Sequence, residues 1–208
     1  MNSLPFHRKT FAHINLDAIV SNYKTIAALH PTAGICAVIK ANAYGHGDIE
    51  VARVLESSGV NSFAVALVEE GVHLRKAGIS TPILVLGGAL EDGYTALVEH
   101  NLTPAIFTLH HLKKLHDAAG SSPKAFHLKL DTGMSRLGLY QPEITSFLEL
   151  LSSYPNLKLE GVLSHFANAD QRDELATTQQ VHQFSQAIAQ IESAGFKLRY
   201  KHVANSAG

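Results

Sequence analysis

The sequence predicts an α/β protein built on a parallel sheet. Strand patterns and helix patterns alternate along the 208 residues, as they do when helices cover a parallel sheet. The strands are continuous apolar runs, which is typical of strands covered on both faces. Seven such strand-and-helix units follow an N-terminal segment, one short of a closed (β/α)8 TIM-type barrel. A doubly wound sheet stays open from the pattern alone, although no Gly-x-Gly-x-x-Gly follows a strand.

Each element follows from its own residues. Phe11 to Leu16 is a short strand candidate, and Asp17 can cap a helix that ends before Pro31. Asp48 is placed to cap the helix after the first apolar strand, and Gly78 occupies a position that commonly takes a left-handed turn. Further strands are predicted at 35–40, 62–67, 82–86, 102–107, 126–130, 159–163 and 200–204.

Helical periodicity assigns the remaining segments and their inward faces. Helices are predicted at about 48–58, 69–77, 91–99 and 178–192, and two more begin at Thr108 and Pro142. The faces expected to pack inward carry Ile19, Tyr23, Ile26 and Ala27 in the first helix and Val181, Phe184, Ile188 and Ile191 in the last.

The composition is that of an ordinary soluble protein, with 46% hydrophobic residues, 17% charged residues and a formal net charge of −1. It shows neither a basic patch nor an acidic tail, which disfavours nucleic acid as a partner. The single cysteine, Cys36, lies in an apolar strand and is expected to be a buried residue in a reducing compartment. The first ten residues lack a signal-peptide core, and no apolar run approaches the roughly 18 residues of a membrane span. A cytoplasmic protein without a membrane partner is therefore expected.

The informative positions lie where strands end, because those residues face the active-site mouth of a parallel barrel. The first apolar run ends on Lys40, and a glycine-bearing turn that contains Tyr44 follows. A partly buried amine at such a place can attack an aldehyde to form a Schiff base. The other strand ends carry Lys129, Arg136, His165, Asn205 and Ser206.

Each of these residues also has a simpler interpretation. Lys40 can extend out of a barrel mouth into solvent, Arg136 can form a surface ion pair, and His165 can be a hydrogen-bonded core histidine. Asn205 and Ser206 can be capping residues. Their convergence at one end of a sheet is what favours a functional site.

Two further observations qualify that site. Lys129 lies within an apolar strand, so it is either inward-facing and paired or wrongly assigned to the strand. The thirteen histidines are scattered, with no His-Glu-x-x-His or Cys-x-x-Cys spacing, so no metal site is predicted.

Four segments carry a resemblance to a known family. Ala-Val-Ile-Lys-Ala-Asn-Ala-Tyr-Gly-His-Gly at 37–47 resembles the cofactor-lysine signature of the pyridoxal-phosphate-dependent alanine racemases. Leu-Lys-Leu-Asp-Thr-Gly-Met-Ser-Arg-Leu-Gly at 128–138 resembles the second signature of that family. Ser-His-Phe-Ala-Asn-Ala-Asp at 164–170 and His-Val-Ala-Asn-Ser-Ala-Gly at 202–208 resemble two more, in the same order. The similarity covers essentially the whole sequence.

The resemblance implies a cofactor, a substrate and residue roles. Lys40 would hold pyridoxal 5′-phosphate through a Schiff base and would then act as the base on the α-proton of D-alanine. Arg136 would bond the cofactor phenolic oxygen and the substrate carboxylate, which suits a planar forked donor. Lys129 would be carbamylated and would hold Arg136 in place.

The remaining roles concern the cofactor ring and its phosphate. His165 would lie against the ring and help support an arginine that faces the pyridine nitrogen. Tyr44 and Ser206 would bond the phosphate, and Asn205 would shape the site beside it. Anion binding after the last strand fits the phosphate sites common in such barrels.

The family pattern does not end at Gly208. The resemblance implies that the eighth strand, the arginine facing the pyridine nitrogen and a C-terminal β domain lie outside residues 1–208. In the family that domain supplies a tyrosine as the second base and much of a homodimer interface. The sequence therefore predicts an incomplete barrel domain that by itself racemises alanine poorly and has two open sheet edges prone to association.

Alternative functions remain. Single-domain proteins with a similar barrel carry pyridoxal phosphate without a known reaction, but their lysine motif lacks Asn-Ala-Tyr-Gly-His-Gly. A racemase for serine or for several amino acids shares the lysine motif. Amino-acid decarboxylases on a similar barrel lack Met-Ser-Arg-Leu-Gly as it stands here.

Overall fold

The computed structural model describes residues 10–171, 175–205 and 207. Seven strands form one sheet in which all neighbours are parallel and the spatial order follows the chain. The order never reverses, which excludes the doubly wound alternative, and the sheet curls in the manner of a barrel that lacks its eighth strand. The strands are β1 (Cys36–Val38), β2 (Ser62–Val65), β3 (Ile83–Val85), β4 (Thr103–Ile106), β5 (Lys124–Lys129), β6 (Leu157–Leu163) and β7 (Tyr200–His202).

Helices connect successive strands, as the alternating pattern predicts. Thr108 caps its helix as expected, because its hydroxyl oxygen accepts a hydrogen bond from the backbone N–H of His111 at 3.0 Å. Pro142 lies in a 3-10 turn, Gln141–Glu143, immediately before the helix that it was expected to open. The helices are α1 (Leu16–Leu29), the short α2 (Lys40–Tyr44), α3 (Asp48–Ser57), α4 (Val68–Lys76), α5 (Gly93–Glu99), α6 (Leu109–Ala119), α7 (Ile144–Ser152) and α8 (Leu175–Ser193).

The N-terminal strand prediction is wrong for the described residues. Residues 10–15 form no strand, because no described strand pairs with them. Asn15 rather than Asp17 caps α1, and its side-chain oxygen accepts a hydrogen bond from the N–H of Ala18 at 3.0 Å. Asp48 is likewise the first residue of α3 and not its cap, and its own N–H donates to the side-chain oxygen of Asn42 at 3.0 Å.

The hydrophobic core lies between the sheet and its helices. Alternate strand residues such as Phe63, Ile83 and Phe126 are buried in a single cluster with apolar helix residues. The residues that alternate with these along each strand point to the opposite, inner face of the sheet. Cys36 lies on this inner face of β1 and is exposed, so the expectation that it is buried is wrong.

The exposure of Cys36 has a structural cause. Among the described residues, β1 has a strand neighbour only on the side of β2, so its inner face is covered from one side.

No helix in the described part of the chain is long and apolar enough to cross a bilayer.

Candidate active site

The predicted site residues lie at the same end of the sheet because all seven strands are parallel. Lys40 follows β1 by two residues, and Lys129 is the last residue of β5. Arg136 lies in the loop after β5, His165 follows β6, and Asn205 follows β7. Ser206, which was assigned to the phosphate, lies outside the described residues.

The turn that carries Lys40 is left-handed. Ala41, Asn42, Ala43 and Tyr44 have φ values of 52°, 56°, 49° and 55°, and none of them is glycine. A left-handed conformation costs an L-residue about 1–2 kcal/mol, so this run stores about 4–8 kcal/mol that surrounding contacts must offset. Strain of this kind persists only where tertiary structure imposes it, and it concentrates at functional sites.

The left-handed turn brings Tyr44 back beside Lys40. The amine nitrogen of Lys40 lies 5.9 Å from the centroid of the Tyr44 ring. Tyr44 is 60% exposed, so its hydroxyl is available to a ligand in the mouth. The backbone N–H of Gly47 donates to the carbonyl of Asn42 at 3.0 Å and closes the turn.

The loop that carries Arg136 is closed at its base by backbone hydrogen bonds. The N–H of Leu139 donates to the carbonyl of Lys129 at 2.8 Å, and the N–H of Asp131 donates to the carbonyl of Leu139 at 3.0 Å. Gly138 makes this closure possible, because a Cβ on it would lie 2.2 Å from the nitrogen of Asp131.

Asp131 also fixes the inside of that loop. One of its carboxylate oxygens accepts hydrogen bonds from the N–H groups of Gly133 at 2.9 Å and Ser135 at 3.0 Å. The carboxylate is thereby engaged with the loop that precedes Arg136.

Four basic side chains converge at the mouth. Lys129 is only 6% exposed, and burial, then the charges of Arg136 and Lys40, lower the pKa of its amine, while Asp131 acts in the opposite direction. Burial, followed by the charges of Arg136, Lys129 and Lys40, also lowers the pKa of His165. Among the described residues, no salt bridge neutralises any of the four basic groups. The site therefore has an excess of positive charge that suits an anionic ligand.

A buried glutamine, Gln180, anchors the loop of His165. Its side-chain NH2 group donates to the carbonyl of His165 at 2.9 Å and to the hydroxyl of Thr132 at 3.2 Å. Its oxygen accepts from the N–H of Ala167 at 2.9 Å. Gln180 is 3% exposed and lies in α8, so it ties the strand ends of β5 and β6 to one helix.

The network continues beneath the site. The hydroxyl groups of Thr132 and Ser164 lie 2.7 Å apart, and Ser164 donates to the carbonyl of Leu130 at 2.9 Å. No role was predicted for Thr132 and Ser164, although they lie in the segments 128–138 and 164–170. Gln180 was not singled out because it is an isolated polar residue in a helix.

Asn205 joins the end of β7 to the neighbouring strand end. Its side-chain NH2 group donates to the carbonyl of Phe166 at 3.4 Å, and its oxygen accepts from the N–H of Ala207 at 3.1 Å. It therefore lies beside the His165 loop.

No group of three or more metal-ligating side chains is found among the residues that the structure describes.

The fold and the site define a barrel protein that gathers lysine, arginine and histidine side chains at the carboxyl ends of its strands. Residues 14–208 match the family described as alanine racemase, N-terminal domain. The chain belongs to the alanine racemase family.

Individual relatives agree with this assignment. The alanine racemase of Geobacter sulfurreducens is 43% identical over 206 residues, which are 96% of this chain and 54% of that protein. The structure of the Clostridium difficile 630 alanine racemase superposes with a TM-score of 0.92 at 35% identity, covering 98% of this chain and 57% of that one. The Bacillus anthracis alanine racemase with bound L-Ala-P gives a TM-score of 0.91 at 35% identity, covering 99% and 54%. The chain spans about half the length of the curated relatives that it matches.

Proposed function

We propose that this chain is the barrel domain, 1–208, of a pyridoxal-phosphate-dependent enzyme that interconverts L-alanine and D-alanine. The observation that carries the proposal is the cationic cluster of Lys40, Lys129, Arg136 and His165 at one end of a parallel barrel sheet. Relatives of the chain are named alanine racemases, and one was solved with L-Ala-P.

The donor set fits the cofactor and the substrate chemically. Pyridoxal 5′-phosphate carries a phosphate and a phenolic oxygen, and alanine adds a carboxylate, so the bound pair brings several negative charges. The site offers a primary amine on Lys40, a forked donor on Arg136 and the exposed phenol of Tyr44. Such charges stabilise anions strongly where water is partly excluded.

The residues then have distinct tasks. When bound, the cofactor supplies an electron sink that makes the substrate α-proton acidic. Lys40 would hold the cofactor covalently and, after the substrate amine has displaced its own amine from the cofactor, would move the α-proton on the face used by D-alanine. Arg136 binds the substrate carboxylate and orients it, because two parallel N–H bonds fix both position and angle.

The other proposed contacts complete the site. Tyr44 and Ser206 bind the phosphate, Asn205 shapes the wall beside them, and His165 lies against the cofactor ring. The placement of Asn205 beside His165 is supported by its hydrogen bond to the carbonyl of Phe166, the residue after His165. Lys129 is proposed to carry a carbamate that turns an amine beside Arg136 into an anion.

The wider setting is proposed with the same reaction. The complete protein would be a cytoplasmic homodimer that supplies D-alanine for peptidoglycan, with the second base contributed from outside residues 1–208. A cofactor-binding module without a reaction and a racemase of wider specificity are the alternatives to test.

The decisive experiment follows the α-proton rather than racemisation alone. The chain is supplied with pyridoxal phosphate in heavy water, and α-proton loss from D-alanine, L-alanine and D-serine is followed by NMR. Since Lys40 serves one face, we expect exchange of D-alanine to exceed that of L-alanine, with racemisation slower than exchange. Borohydride reduction and mass spectrometry should then locate the cofactor on Lys40.

Two variants give the controls. Lys40→Ala should abolish both exchange and covalent cofactor, whereas Lys76→Ala, which alters an exposed lysine in α4, should retain both. Covalent cofactor on Lys40 without α-proton exchange would favour the binding-module alternative. Faster exchange of D-serine than of D-alanine would favour a different racemase, and no cofactor uptake in a folded sample would refute the proposal.

A further inference from the structure

The side chain of Glu70 connects the lysine turn to a second strand end. One carboxylate oxygen accepts a hydrogen bond from the backbone N–H of Ala41 at 2.6 Å. The other accepts from the N–H groups of Ala66 at 2.8 Å and Leu67 at 3.0 Å. Glu70 lies in the first turn of α4, so it binds the N-terminus of its own helix and reaches across to α2 at the same time.

The amide of Ala41 is the important one of the three. It belongs to the peptide unit that joins Lys40 to Ala41, so its orientation fixes the backbone on the carboxyl side of Lys40. The structure gives this N–H a side-chain acceptor, Glu70, in place of a backbone carbonyl of the left-handed turn. Ala41 also begins the left-handed run, where φ is 52°.

The geometry demands a carboxylate and not merely a polar side chain. Both oxygens of Glu70 face N–H donors, and the donors lie on opposite sides. Glutamine has the same shape but only one acceptor, so its NH2 group must face a donor on one side or the other. Among the described residues, no salt bridge joins Glu70 to a cation, which leaves these amides as its partners.

We propose that Glu70 is a positioning residue for Lys40, because it holds the Lys40–Ala41 peptide unit at the entrance to the left-handed turn. This inference rests on the proposed function for its meaning, since Lys40 is the amine that carries the cofactor there. It does not depend on that function for its test, because the peptide unit can be observed without cofactor.

The test compares Glu70→Gln with Glu69→Gln in the cofactor-free chain. Glu69 is the adjacent helix residue, is exposed and binds no amide of the turn, so it is a matched control. Amide hydrogen exchange is measured for residues 41–47 and for the start of α4, and trace acetylation measures the accessibility of Lys40 relative to Lys76. We expect Ala41 exchange to rise about tenfold or more and Lys40 acetylation to rise severalfold in E70Q, with E69Q within about twofold of the unchanged chain.

The remaining outcomes are separable. Faster exchange confined to α4, with Ala41 and Lys40 unchanged, would mean that Glu70 only caps its helix and would overturn the proposal. If circular dichroism shows that E70Q loses the fold, E70D replaces it, because the shorter carboxylate keeps the charge at α4 but cannot span both sides. An unchanged Ala41 in E70D would overturn the proposal equally. Failure of the unaltered chain to bind pyridoxal phosphate would count against the proposed function alone.

Discussion

The imidazole nitrogen Nδ1 of His127 lies 2.9 Å from Nε2 of His202, on the inner face of the sheet. His127 is in β5 and His202 in β7, and both pair with β6, the strand between them. One ring must donate its N–H and the other must accept, so the pair is stable only while at least one ring is neutral. Burial and the neighbouring histidine lower the pKa of His127 to about 3, and burial lowers that of His202 to about 4.

The histidine pair predicts acid-sensitive folding. Between the unfolded pKa of about 6.5 and these lowered values, the unfolded chain binds more protons than the folded one, so stability falls as the pH falls through that window. At about pH 5 the loss is about 2 kcal/mol per histidine. Urea denaturation at several pH values should show this fall in the free energy of unfolding as the pH is lowered. The double variant His127→Gln and His202→Gln should reduce that pH dependence. His182→Gln, at an exposed histidine in α8, should leave it unchanged, and a slope that survives the double change would contradict the account.

Lys129 is predicted to react with carbon dioxide. The lowered pKa of its buried amine favours the neutral form that attacks CO2, and the product is a carbamate with release of a proton. The resulting anion would face Arg136 and relieve the repulsion between two cations. Carbon-13 NMR in labelled bicarbonate should show a carbamate signal that Lys129→Ala removes and Lys76→Ala retains. A folded sample with no such signal would refute the carbamate.

Gln180 is predicted to stabilise the loops that carry the site. Gln180→Leu leaves the partly buried amide of Ala167 and the partly buried carbonyl of His165 without their partners, at a cost of about 1–3 kcal/mol in the free energy of unfolding. The exposed neighbour Gln179→Leu should cost less than about 0.5 kcal/mol. Chemical denaturation measures both changes, and equal costs for the two variants would show that the network adds nothing.

Gly138 is predicted to be irreplaceable in the Arg136 loop. A methyl group there would lie within 2.2–2.8 Å of backbone atoms of Leu130 and Asp131, which cannot move without breaking the closure of the loop. Gly138→Ala should therefore cost more than about 3 kcal/mol of stability and weaken cofactor binding. Gly120→Ala is the comparison, because its φ of +57° brings strain but no clash. If Gly138→Ala lowers the stability no more than Gly120→Ala does, the closed loop can accommodate the added methyl group and the prediction is wrong.

Local patterns sufficed for most of the architecture. Apolar runs and helix ends depend on residues that are adjacent in the sequence. The seven predicted strands, β1 to β7, are therefore confirmed with small differences at their ends. Parallel strands then place Lys40, Arg136 and His165 at one end without further information. The N-terminal strand was wrong because a strand exists only if another strand pairs with it, which residues 11–16 cannot show.

The left-handed conformation of the turn after Lys40 could not be predicted from the sequence pattern. Ala41 and Ala43 have no local reason to adopt positive φ, and the Glu70 side chain that contacts Ala41 lies 29 residues further along the chain. Only tertiary structure offsets such strain, so the sequence of the turn suggested a loop and not its handedness.

The inward face of α8 was predicted in part. Phe184 and Ile191 are buried as expected, but Val181 is 45% exposed and Gln180 takes the inward position beside it. Periodicity ranks residues by hydropathy, and it cannot detect a polar side chain whose partners lie on two other loops. The same limit applies to Ile26 in α1, which is 51% exposed although its periodicity points inward.

The spatial order of the strands has a consequence for synthesis. Each of the six pairings among the described strands joins a strand to the one made immediately before it, so none of these pairings must wait for a distant segment to emerge. Every new unit can dock on a completed edge as the ribosome releases it, and loop-closure entropy stays small throughout. This part of the barrel wall can therefore grow vectorially, with Lys40 just after the first described strand and Asn205 just after the seventh.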